Sequence, residues 1–99
     1  MESRENLQKR QFFTYIRKNI LEVERKKLAE ALSVSETTII NIENGKLPVS
    51  KNIFLALYVL LQQYKEDFYL YYGNKARMLD NVINILKNKY IQVDYIKLF

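Results

Sequence analysis

An all-α fold is what the sequence predicts, and three observations predict it. Glycine occurs 2 times and proline 1 time in 99 residues, too few turn formers for a chain of many short strands and hairpins. Apolar residues recur at spacings of three and four over most of the chain, the period of an amphipathic helix. Hydrophobic residues make up 48% and charged residues 27%, the balance of a chain that buries a core of its own. The length suits one domain with at most a short appendage.

A first helix is expected from about Leu7 to Leu21, with Phe12, Phe13, Ile16 and Ile20 inward and Lys9, Arg10, Arg17 and Lys18 around them. A second, short helix runs from about Glu24 to Leu32, where Leu28, Ala29 and Leu32 share a face. Its first turn carries Arg25, Lys26 and Lys27, although cations there oppose the positive end of the helix macrodipole. Either the turn is simply solvated, or an anion such as phosphate sits where backbone amides and basic side chains converge.

After Ser33 and Val34, Ser35 is suited to cap a third helix, and Asn44-Gly45 to stop it, because glycine takes the left-handed conformation that ends a helix. This helix spans about Glu36 to Asn44. Ile39 and Ile42 anchor it by one narrow stripe, with Val34 packing from the turn before. The opposite face, around Glu36, Thr37, Ile40, Asn41 and Asn44, is left for solvent or a ligand.

Beyond Lys46 and Pro48, Ser50 can cap a fourth helix from about Lys51 to Tyr64. Ile53 to Leu61 is apolar all round, so this helix is expected to be covered on most sides. A tyrosine-rich stretch from Lys65 to Tyr72 follows, then a break at Gly73-Asn74. A last helix is expected from about Lys75 to Lys89, with Ala76, Leu79, Val82, Ile83, Leu86 and Tyr90 inward. The group Phe68, Tyr69, Tyr71 and Tyr72 is too dense for one helix to hide, so a second surface must cover part of it. The tail from Ile91 to Phe99 alternates at first and then loses the pattern, and stays open between strand and helix. No internal repeat, low-complexity linker or flexible seam interrupts the chain.

Composition excludes several chemistries. With 0 cysteines and 0 histidines, the chain lacks a thiol nucleophile, an imidazole base and the usual zinc ligands. The 11 carboxylates form no recognisable acid and base pair, and no glycine-rich phosphate loop or EF-hand spacing is present. No enzyme, cofactor or metal site is expected. The longest apolar run, Ile53 to Leu61, falls well short of the about 20 residues a membrane span needs. The polar start, MESRENLQKRQ, reads as no signal peptide, so a cytoplasmic protein is expected. The net charge of +5 fits an anionic partner such as nucleic acid and equally a lysine-rich solvated surface. The excess is divided between both halves of the chain and locates no site.

Two short helices joined by a tight turn, the second opening on small polar residues, form a helix-turn-helix pattern. Residues 24–46, ERKKLAEALSVSETTIINIENGK, resemble the Cro and phage-repressor (XRE-type) helix-turn-helix family. The likeness rests on Leu28-Ala29, Leu32, Val34-Ser35, Thr38-Ile39 and the run Ile42-Glu43-Asn44-Gly45-Lys46. Ser50, Phe54 and Leu57 continue it into the fourth helix, so about half the chain is covered, residues 12–61. The chain departs from the family in three places. Glu24-Arg25-Lys26-Lys27 stands where members usually have Ser-Gln-Glu-Glu, and the Ser/Glu capping box is lost. Ser33 replaces the common turn glycine, and Pro48 arrives one residue early.

The resemblance implies a DNA-reading third helix with Glu36, Thr37, Ile40 and Asn41 at the base edges. Asparagine can bond adenine bidentately, threonine and isoleucine can meet a thymine methyl, and a carboxylate can accept from cytosine. Glu36 has a second reading as an acid that favours the helix dipole, and Ile40 as an apolar residue without a role. Arg25, Lys26, Lys27, Asn44 and Lys46 make up the expected phosphate set, which gives affinity and register but no sequence preference. Arg25 stands where the family has a backbone-contacting glutamine, and a guanidinium can grip phosphate bidentately.

The expected architecture is thus a compact repressor-like helix bundle with a helix-turn-helix domain over 1–64, and a helical carboxy-terminal extension over 65–99 that dimerises. One module covers only about 600 to 1,000 Å² of DNA, so specific affinity usually needs two half-sites. The expected function is a sequence-specific transcriptional regulator, a repressor on a palindromic operator in double-stranded DNA, acting as a homodimer. One alternative is an antitoxin or anti-repressor whose aromatic extension binds another protein, with DNA binding secondary. Another is a basic helical module for RNA or DNA without sequence preference.

Overall fold

The computed structural model describes residues 2–73 and 75–91, with the side chains of 68–72 left aside. The described chain is helical and without strands, in the order α1 (Arg4–Tyr15), α2 (Arg25–Leu32), α3 (Glu36–Glu43), α4 (Lys51–Tyr72) and α5 (Lys75–Ile85). The all-α expectation holds. Two compact units divide the chain, Met1–Ser50 and Lys51–Phe99, so residues 51–64, grouped from sequence with the amino-terminal part, lie in the second unit.

In the first unit α1 begins earlier than its apolar pattern, because Ser3 caps it by accepting from the Asn6 amide at 3.1 Å. It continues without a break into a π-helical segment, Ile16–Leu21. The wider turn brings Ile16, Arg17, Ile20 and Leu21 inward together. Glu22 ends the segment in the left-handed region, with φ 54°. Phe13 is buried while Phe12 is only half-buried, so one aromatic of the expected pair forms the core.

The turn between α2 and α3 closes as the sequence implies, at some cost. Ser33 adopts φ 59°, a conformation that a residue with a Cβ enters at roughly 1 kcal/mol or more. Bonds from the Ser33 amide to Glu30 O at 3.2 Å and from the Val34 amide to Ala29 O at 3.0 Å seal the end of α2. Ser35 then caps α3, its Oγ accepting from the Thr38 amide at 3.1 Å. Leu28, Ala29 and Leu32 of α2 and Ile39 and Ile42 of α3 are buried, and α3 packs on both α1 and α2.

Gly45 stops α3 with φ 81°. The amides of Lys46 and Leu47 bond back to Asn41 O at 2.9 and 3.1 Å. A Cβ on Gly45 would lie 2.7 Å from Glu2 Oε2 and 3.0 Å from Arg10 Nε. Glycine is therefore favoured there by its conformation, and a Cβ would have to displace the Glu2 carboxylate.

In the second unit α4 runs to Tyr72, eight residues beyond the expected end at Tyr64. Nothing between 65 and 72 breaks a helix, and Gly73, at φ 50°, supplies the stop. Phe54, Leu57 and Leu61 are buried on one side, with Leu79, Val82, Ile83, Leu86 and Ile91 also buried. Lys65 pairs with Asp80 at 2.7 Å between α4 and α5. Phe54 stacks on Tyr90 at 4.8 Å. The last helix is α-helical only to Ile85 and continues as a π-helical segment, Leu86–Ile91. Ile53 to Leu61 is not enclosed all round, since Val59 is 56% exposed. The tail from residue 92 and the side chains of Phe68, Tyr69, Tyr71 and Tyr72 fall outside the described residues. No helix among the described residues is long and apolar enough to cross a membrane.

Candidate functional site

The outer face of α3 carries the expected base-reading positions. Glu36 and Thr37, in its first turn, are exposed, while Ile40 and Asn41, one turn on, are half-buried. Ile40 is therefore partly packed rather than a stray surface residue. Asn44, at the carboxy-terminal cap, and Lys46, in the following turn, are exposed. Lys26 and Lys27 are exposed in the first turn of α2. Glu24 precedes that turn and gives it no side-chain cap, as expected once the capping box is absent.

Arg25 does more than the sequence implied. Its Nε donates to Glu43 Oε1 at 2.8 Å, and its side chain remains 43% exposed. Glu43 is itself buried, at the end of α3, and also accepts from Arg17 Nε at 2.6 Å and Arg17 Nη2 at 3.0 Å. Arg17 Nη1 donates to Val23 O at 3.0 Å. One buried carboxylate thus ties the end of the first helical stretch, the start of α2 and the end of α3. Burial alone would raise the Glu43 pKa, but the guanidiniums of Arg17 and Arg25 outweigh it and hold the carboxyl below its ordinary value.

A second polar network fixes the turn after α3. Arg10 Nη1 donates to Glu43 O at 2.9 Å, a cation on the negative end of the helix. Arg10 Nε donates to Glu2 at 2.7 Å, and Asn6 Nδ2 to Glu2 Oε2 at 2.6 Å. Asn6 Oδ1 accepts from the Val49 amide at 3.0 Å. The Glu2 carboxyl is held low first by its bond from Arg10.

An open groove of about 430 Å³ lies beside α2 and α3, lined by Arg17, Lys18, Glu24, Arg25 and Glu36. It joins one expected phosphate ligand, Arg25, to one expected base reader, Glu36, and adds Lys18, to which the sequence assigns no role. Glu43, Arg17 and Arg10 also escape a reading of the sequence. A signal for the first two is present: Glu43 falls on the apolar stripe of Ile39 and Ile42, and Arg17 on that of Phe13, Ile16 and Ile20. Opposite charges on two buried stripes can satisfy one another.

Among the described residues no group of three or more acidic side chains is placed to hold a metal ion. No family model, curated protein or solved structure matches this chain.

Proposed function

We propose that the chain is a sequence-specific DNA-binding regulator of transcription, a cytoplasmic repressor that binds a palindromic operator as a homodimer. One observation carries this reading: α3 is capped, pinned on its inner side by Ile39, Ile42 and Glu43, and offers an outer row of Glu36, Thr37, Ile40 and Asn41, of which Glu36 shares a groove with Arg25 of α2. A helix held in this way and approached by a tight turn supports a helix-turn-helix reading, in which the second helix enters the DNA major groove. It also agrees with the likeness of residues 24–46 to the XRE-type family.

In this reading Asn41, Thr37 and Ile40 meet base edges, and Lys26, Lys27, Lys46 and Asn44 meet phosphates. Glu36 sits in the first turn of α3, where its charge favours the helix dipole and opposes the approach of phosphate. The expected dimer doubles the contact area and matches a two-fold symmetric site.

Bonds to phosphate set how steeply binding falls with salt. Replacing Lys26 and Lys27 by alanine is expected to weaken binding about equally on every duplex sequence. The slope of log K against log salt should fall by about 0.9 for each phosphate no longer neutralised. An unchanged slope in a titration from low to moderate salt would remove both lysines from the interface. If wild-type protein binds no duplex DNA and light scattering shows it monomeric, the protein-binding alternative becomes the better account.

A further inference from the structure

Two arginines share the Glu43 carboxylate, and they are used differently. Arg17 is 8% exposed, and its Nε, Nη1 and Nη2 are all bonded, two to Glu43 and one to Val23 O. It is sealed in. Arg25 bonds Glu43 through Nε and is 43% exposed on the wall of the groove that also contains Lys18. One carboxylate is thus shared by two guanidiniums, and of the two only that of Arg25 is substantially exposed.

An arginine pinned at Nε has given up side-chain freedom before any anion arrives, which lowers the ordering cost of binding one. Its terminal nitrogens can still present two donors to one phosphate. Glu24 and Glu36 line the same groove and repel anions, so bulk charge would not hold a phosphate there. Fixed donor geometry could.

We propose that Glu43 is a positioning residue for DNA: it holds Arg25 so that this guanidinium, with Lys18 beside it, clamps one backbone phosphate. The inference rests on the DNA-binding reading and adds to it a role for a buried residue that touches no DNA.

The test uses the full chain and a short mixed-sequence DNA duplex, titrated over a salt series, with thermal melts to follow folding. Arg25→Ala is expected to reduce the salt slope by about 0.9, one phosphate. Arg25→Lys should reduce it equally, since the single nitrogen of lysine, drawn to the buried Glu43 carboxylate, leaves no charged group projecting into the groove. Glu43→Gln should give the same reduction alone and none beyond it when combined with Arg25→Ala. A wild-type slope for Arg25→Lys would overturn the proposal, as would effects of Glu43→Gln and Arg25→Ala that simply add. Should Glu43→Gln fail to fold, Glu43→Asp, which keeps the charge beside Arg17 and withdraws the carboxylate from Arg25, replaces it and is expected to give the same reduction, a wild-type slope overturning the proposal. Wild-type protein that binds no duplex at any salt would overturn the DNA reading and the positioning role together. Normal wild-type binding with either contrary slope result removes only the positioning role.

Discussion

Glu43→Ala is expected to destabilise the first unit by about 3 to 5 kcal/mol, because it leaves the buried Arg17 guanidinium without its counter-charge. Against a total stability of roughly 5 to 15 kcal/mol for a domain, that loss leaves little. Arg25 adds less to the effect, since it is half in solvent and water can replace its partner. Replacing both buried members, Arg17→Met with Glu43→Leu, should recover much of the loss, as an apolar pair of similar volume needs no charge balance. Chemical denaturation of the three chains measures the difference. A Glu43→Ala variant as stable as wild type would show that the ion pair holds nothing together.

The same network sets a response to acid. The folded Glu43 carboxyl is held below its ordinary value of 4.5, so the folded state binds its proton less readily than the unfolded chain. Its contribution is present above the unfolded value and is lost as pH falls through the folded one. Wild-type stability should therefore drop below about pH 4.5, and Glu43→Ala should show a flatter acid limb. Glu2, lowered in the same direction by Arg10, leaves some acid dependence in the variant.

The second large effect concerns reading. Asn41→Ala is expected to cost about 1 to 3 kcal/mol on the preferred operator and to relax preference at one base pair in each half-site. Glu36→Gln should leave the preferred sequence alone and raise affinity for every DNA, since a negative charge leaves the groove that the proposed DNA-binding reading turns toward phosphates. A shift of the preferred base away from cytosine in Glu36→Gln would instead make Glu36 a reader. Binding measured on a set of single-base operator variants separates these outcomes.

Much of the local structure is legible because it is written in adjacent residues. Ser35 caps α3 and Gly45 ends it as their chemistry implies, and Ser33 takes the left-handed turn that a glycine would take more easily. The apolar stripes of α2 and α3 name their buried residues directly. What escapes depends on partners far apart in sequence. Glu43 and Arg17 are 26 positions apart, and although each falls on an apolar stripe, nothing local in the sequence pairs one with the other. Only the fold, which brings the π-helical segment Ile16–Leu21 to the end of α3, makes them a buried pair. The α4 helix is longer than expected because its tyrosine-rich run looks like a change of element, although nothing in it stops a helix before Gly73. The π-helical segments leave no mark in a period of three and four, since they depend on which turns the core admits. The outer face of α3 is legible as a set of positions. Its neighbouring groove, with Lys18 and two acidic walls, is not.

Selection of bound duplexes from a pool of random DNA by the wild-type chain tests the central claim most directly. The account predicts enrichment of one motif with two-fold symmetric half-sites about one helical turn apart, centre to centre. The enrichment should weaken at one position in each half when Asn41→Ala is used. A selected pool with no enriched motif would contradict sequence-specific recognition by α3.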